Sequence, residues 1–161
     1  MIQIRCTTPK SAIDAFFNDA LRIVKEEVSR ALMYLGEQCV IRIKDRSGDD
    51  SWYDHTGNLR SSIGYAVYDY GKKLMESAFA IVRQGSKGAS EGRRMVNELA
   101  SEYADVYALV VVAGMDYADV VEAIESKDVL ASTKSWATKE INEVIDKAKK
   151  SAEQRINSIR L

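Results

Sequence analysis

Apolar residues recur at Ile13, Phe17, Ala20, Val24, Val28, Ala31, Leu35 and Cys39, in steps of three and four that share one helical face. The pattern holds to about Ile43 and predicts a long amphipathic helix. Thr8-Pro9 marks where it begins, with a hydroxyl near the cap and a proline whose missing N–H costs nothing in the first turn. Roughly 30 helical residues would span about 45 Å, which is long for so short a chain. The helix is therefore expected either to bend at Gly36 or to run past the core and meet another chain.

Beyond it the pattern changes. Residues 46–51 form a polar loop. Residues 63–68 (Ile-Gly-Tyr-Ala-Val-Tyr) are aromatic and β-branched and predict a strand; 69–73 turn the chain; 74–82 predict a second strand, closing a hairpin. Residues 84–92, with glycines at 85, 88 and 92, have the composition of a flexible surface loop, and a short helix follows over 93–103. Three consecutive valines within 106–113 predict a strand buried on both faces, ended by Gly114. An imperfect alternation over 116–124 predicts a last strand. From Thr133 onward, Ala137, Ile141, Ile145, Ala148, Ala152, Ile156 and Ile159 restore a helical stripe. The order predicts one α+β domain over residues 1–161, with 1–8 as an N-terminal tail. A small, mainly antiparallel sheet would have one face covered by the long N-terminal helix and the C-terminal helix.

Composition changes this picture little. Hydrophobic residues make up 46% of the 161 and charged residues 29%, enough for a core without disulfides or metals. The net charge of -1 carries no overall basic excess of the kind that marks nucleic-acid binding. The balance is uneven along the chain, however. Residues 98–128 hold eight acids against one base, and 133–161 hold seven bases against four acids. Three readings stand: pairing within the fold, pairing between copies, or two solvated faces that never meet. Neither a long apolar leader segment nor an apolar run of membrane-spanning length is evident, so synthesis in the cytoplasm is expected.

Candidate chemistry is sparse. Cys6 and Cys39 are far apart and His55 is the sole histidine, which does not fit common zinc patterns; Cys39, on the apolar stripe, is expected to act as a small hydrophobe. Asp54, His55, Ser61 and Ser62 supply hydrolase-type parts, yet no G-x-S-x-G elbow accompanies them, and a structural role for His55 is expected. Asp49-Asp50 and Asp116/Asp119 lack the EF-hand spacing and are expected to be solvated. Gly85 and Gly88 match only the two glycines of a KH-type G-x-x-G, with Arg93 and Arg94 beyond them; this is the second functional reading, a nucleic-acid-binding module. Of Trp52, Tyr53, Tyr65, Tyr68 and Tyr70, about half are expected in the core.

Two stretches carry a resemblance. The first is residues 53–65, Tyr-Asp-His-Thr-Gly-Asn-Leu-Arg-Ser-Ser-Ile-Gly-Tyr. The second is 110–122, Val-Val-Val-Ala-Gly-Met-Asp-Tyr-Ala-Asp-Val-Val-Glu, followed by Lys127-Asp128-Val129-Leu130. In this order, between two helices, the chain resembles the tailed-phage minor tail component family of neck and tail-completion proteins, with its early TGxLRxSI and late YAxxVE. It departs from that pattern after Glu122, where a glycine turn often follows. The resemblance covers roughly residues 12–152. It implies a non-enzymatic virion subunit that assembles as a ring at the head–tail junction, without cofactor or metal. Implied partners are further copies and other neck, portal-side or tail proteins; no membrane is implied, and nucleic acid enters only as passing DNA. The implied location is the virion, and the host cytoplasm before assembly. Its motif residues here are Thr56, Gly57, Asn58, Leu59 and Arg60, then Gly114, Met115, Tyr117, Ala118 and Glu122, read as fold and interface positions. Elementary chemistry adds that Thr56 can cap the following turn, that Gly57 and Asn58 tolerate left-handed backbone, and that Leu59 and Ile63 can pin the turn to the core. Arg60 has the planar fork for a carboxylate, with Glu122 as candidate partner within the subunit or across to a neighbour.

Overall fold

The side chains of β1 (Ile63–Asp69) are buried from Ile63 to Tyr68, on both faces of the strand, and this fixes the layers around it. The computed structural model describes residues 7–46, 52–123 and 128–159. Helix α1 (Lys10–Lys44) leads to a short helix α2 (Asn58–Ser62), then β1, β2 (Lys72–Glu76), α3 (Ser86–Leu99) with a 3-10 turn over Ala100–Tyr103, β3 (Tyr107–Ala113), α4 (Ala118–Ala123) and α5 (Ala131–Asn157). The three strands form an antiparallel sheet in the order β2-β1-β3, so the expected α+β class and the hairpin are both present. β3 pairs with β1 along its whole length, from Ile63 opposite Ala113 to Asp69 opposite Tyr107.

Alternation along β1 sorts the core. Tyr65 and Val67 point to α1, where they meet Leu32 and, from α5, Ile141 and Ile145. Ala66 and Tyr68 point to the opposite face and meet Phe79, Ala89 and Val96. The sheet is thus covered on both faces, by α1 and α5 on one and by α3 on the other, where the sequence predicts cover on one. A third cluster closes the end of the sheet with Ile43, Trp52, Leu59, Ile63, Met115, Ala118 and Val129. Cys39 lies buried on the α1 stripe, as expected.

Three elements differ from expectation. The second strand stops at Glu76 instead of running to residue 82, because the chain turns inward to bury Phe79 at a left-handed φ of 46°. Residues 84–92 do not form a flexible loop: α3 begins at Ser86, and Gly88, Ala89 and Gly92 are buried on its inner face. The absence of side chains there lets α3 approach other backbone closely, a packing role that local composition cannot distinguish from flexibility. Residues 118–123 form helix α4 where a strand over 116–124 is expected; residue 124 lies outside the described residues. Ala118 and Val121, one helical turn apart, face the core cluster, a three-residue spacing that short windows confuse with alternation.

Helix α1 is continuous through Gly36, where an added Cβ would stand 2.5 Å from the Tyr65 ring. Its first buried residue is Ile23. Residues 10–22 therefore run about 20 Å ahead of that residue at 1.5 Å per residue, so the first turns of the helix pass the buried core, with Leu21 lining a groove beside Asp69 and Leu74. Where α1 leaves the core, Arg155 of α5 donates to Glu26 at 2.7 Å and to Glu27 at 2.5 Å. The acids of 98–128 are not the partners of these bonds, so this pairing joins the two long helices.

Arg155 is the leading cause holding both the Glu26 and Glu27 carboxyls below the ordinary glutamate range. A depressed folded-state pKa contributes stability above the unfolded value, and that contribution is lost as pH falls through the folded value. Arg155→Met is expected to lower the urea midpoint at neutral pH and to flatten the acid limb of stability below about pH 5. An acid limb superimposable on that of the parent chain would refute the assignment.

Candidate functional site at the junction of the two motifs

The first motif folds around an aspartate. Asp54 accepts hydrogen bonds from the backbone N–H groups of Gly57 (2.9 Å) and Arg60 (2.9 Å), holding the start of α2 as a capping carboxylate does. Thr56 Oγ1 accepts from Asn58 N–H at 3.3 Å, the cap read from the sequence. Gly57 sits at φ 82°, and a Cβ there would lie 1.9 Å from the Val82 carbonyl oxygen, so only glycine fits. Asn58 turns its Oδ1 to Gly88 N–H at 3.1 Å, tying α2 to α3. Leu59 and Ile63 enter the core cluster together, as the four-residue spacing implies. Ser61 and Ser62 are fully buried: Ser61 Oγ accepts from Val82 N–H and Ser62 Oγ donates to the Leu59 carbonyl, each at 2.8 Å.

The second motif meets the first. Gly114 N–H donates to the Ser62 carbonyl at 3.2 Å, and Gly114 lies so close to Gly92 that a Cβ would stand 2.5 Å from its nitrogen. Met115 and Ala118 join Leu59 and Ile63 in one cluster. Tyr117 stays partly exposed at the mouth of the junction; burial, and then the charge of Asp54, push its phenol upward. Glu122 Oε1 accepts from the backbone N–H groups of Leu130 (3.2 Å) and Ala131 (2.7 Å), at the start of α5. A carboxylate there satisfies donors that a helix N-terminus leaves open.

Within the chain, Arg60 and Glu122 are therefore not partners. The Arg60 guanidinium lies over the Trp52 ring, 4.9 Å from its centroid, and donates to the Lys44 carbonyl at the C-terminal end of α1. A cation at that end answers carbonyls left without intrahelical donors. A residue at this junction that ties the chain to the start of α5 carries no signal in its local sequence: Arg46 pairs with Asp128 at 3.0 Å and donates to Thr133 Oγ1 at 2.8 Å, while Asp128 accepts from Ser132 N–H at 3.1 Å. Asp54 was legible as the acceptor three residues before Gly57, a common capping arrangement. Nothing local distinguished Arg46.

The hydrolase parts are not assembled. His55 is exposed and lies tilted against Tyr53, ring centroids 4.5 Å apart, while the Asp54 carboxylate and both serine hydroxyls serve backbone groups. Among the described residues no group of three or more His, Cys, Asp or Glu could hold a metal ion; Asp49 and Asp50 lie outside them, and Asp116 and Asp119 are exposed. Gly85 and Gly88 press against Gly57 and Asn58. Arg94 is clamped by Glu91 at 2.7 Å and Glu98 at 2.6 Å, and Arg93 donates to the Ala78 carbonyl at 2.6 Å. Of the five aromatics, Trp52, Tyr65 and Tyr68 are core and Tyr53 and Tyr70 are exposed.

Comparison with known proteins gives no match: no family model, curated sequence or solved structure is significantly similar to the chain.

Removing both acceptors in Asp54→Ala is expected to cost about 1–3 kcal/mol in urea unfolding, with His55→Ala near neutral. A loss for Asp54→Ala no larger than for His55→Ala would sink the capping role. Glu122→Ala is expected to speed amide exchange at Leu130 and Ala131 selectively; exchange there unchanged from the parent would show that Glu122 does not hold the start of α5.

Proposed function

We propose that the chain is a structural protein of a tailed bacteriophage or prophage particle, a neck or tail-completion subunit that assembles into a ring at the head–tail junction. The observation that carries this reading is the overhang of α1. Residues 10–22 leave the core as ordered helix and keep Phe17 (65% exposed) and Leu21 (56%) in solvent. An apolar helical face left in solvent is the feature a partner surface covers.

The head–tail part of the reading rests on the resemblance of residues 53–65 and 110–122 to the minor tail component family. Their close packing in one cluster supports treating them as a single motif pair. In this reading the motif residues maintain the fold that presents the surface. Asp54, Asn58, Ser61, Ser62 and Glu122 all spend their side chains on backbone groups. The nucleic-acid alternative gains no comparable support, since Gly88 N–H is taken by Asn58 and Arg94 by two carboxylates.

Particles released from the host that carries this gene are expected to contain the chain, as read by mass spectrometry of gradient-purified virions. Deleting the gene is expected to leave separate heads and tails in micrographs. Joined, infectious particles from the deletion strain would end the reading.

A further inference from the structure

A cleft of about 610 Å³ runs beside β3. Leu109, Val110 and Val111 all line it, and since successive strand residues face opposite sides, the cleft wraps the strand's outer edge. Its other walls are mostly apolar, with Leu35 of α1, Tyr103 of the 3-10 turn, and Ala137 and Ile141 of α5, and Lys134 and Thr138 on the α5 side. β3 is an edge of the sheet, and its seven residues carry no charge. Natural proteins rarely leave such an edge unguarded, because an uncharged edge invites another chain.

The α1 overhang offers the complementary surface. Phe17 and Leu21, four apart, stand exposed on one stripe. They cannot reach the cleft of their own chain. That cleft is lined by Leu32, Leu35, Cys39 and Ile43 of the same continuous helix, and Phe17 precedes Leu32 by about 22 Å of helical rise. Charge also fits. The overhang carries exposed Lys10 and Asp14, one helical turn apart; the cleft carries Lys134 on its α5 wall, and exposed Glu102 and Asp105 are one and two positions along the chain from its lining residue Tyr103. Asp14 against Lys134 and Lys10 against the two acids make pairs of opposite sign, which favours correct register more than raw affinity.

We propose that the cleft along β3 receives the Phe17 and Leu21 face of α1 from a second copy of the chain, joined head to tail. This rests on the self-assembly reading above and names its two surfaces. Donor and acceptor differ, so each copy uses both, and such a heterologous contact closes into a ring when the rotation between copies closes. The same contact is where the acid-rich segment meets a neighbour.

The test is disulfide trapping between two pools of the full chain in a Cys6→Ser background, one carrying Phe17→Cys and the other Thr138→Cys, an exposed residue lining the cleft. A linked dimer is expected only when the pools are mixed. In sedimentation experiments Phe17→Glu, Leu21→Glu and the cleft-filling Thr138→Trp are each expected to weaken association roughly tenfold or more, as loss of a central interface anchor does. Urea midpoints of the two overhang variants should stay near the parent value, because both side chains are solvent-exposed in the single copy. Lys134→Glu is expected to weaken association and Asp14→Lys to restore it in the double variant. If the Phe17→Cys pool links to itself, the contact is overhang to overhang and the inference fails. If Thr138→Trp assembles like the parent, the cleft is empty in the assembly; the inference fails while self-assembly stands. A parent chain that is monomeric at every concentration and absent from purified particles overturns both.

Discussion

The structure depends on the double burial of β1. A strand hydrogen-bonded on both edges and covered on both faces leaves its neighbours little choice of position. Tyr65, under α1, is the tightest case: its phenol donates to Glu37 at 2.9 Å and its ring fills the space that a side chain at Gly36 would occupy. Burial and the Glu37 carboxylate both push that phenol well above its ordinary pKa, so it remains a neutral donor. On the other face Tyr68 donates to the Val96 carbonyl of α3. Two tyrosines of one strand, pointing opposite ways, thus tie a helix to each side of the sheet.

The legible parts of the fold are those with long, regular periods. The stripes of α1 and α5 extend over many turns, and the aromatic run of β1 and the valines of β3 are unambiguous in type. The illegible parts are short or set by distant contacts. Gly88 and Gly92 look like loop residues because glycine's local meaning is freedom, yet here they admit Asn58 and Ser62 backbone atoms at distances that a Cβ would forbid. Residues 118–123 cover less than two turns, too few for a period of two to be told from one of three to four.

The same division holds at the motif junction. Thr56, Gly57, Leu59 and Ile63 act as their local chemistry suggests, since capping, left-handed backbone and a four-residue apolar pair are properties of short sequence. The partners of Arg60 and Glu122 were not readable, because both are helix termini brought close by the fold. Arg60 answers carbonyls at the end of α1 and Glu122 answers N–H groups at the start of α5. Each charged side chain meets backbone partial charge of opposite sign in place of the other's full charge. With Arg46 and Asp128 beside them, the charges of this region fasten helix ends together.

Helix α1 also has a mechanical consequence. Anything that seizes the overhang near its tip pulls on a lever arm of about 20 Å whose fulcrum is Ile23. Glu26 and Glu27 lie within one turn of that fulcrum, and Arg155 grips both from α5. A sideways load on the arm therefore falls first on two charge-assisted hydrogen bonds to the second long helix.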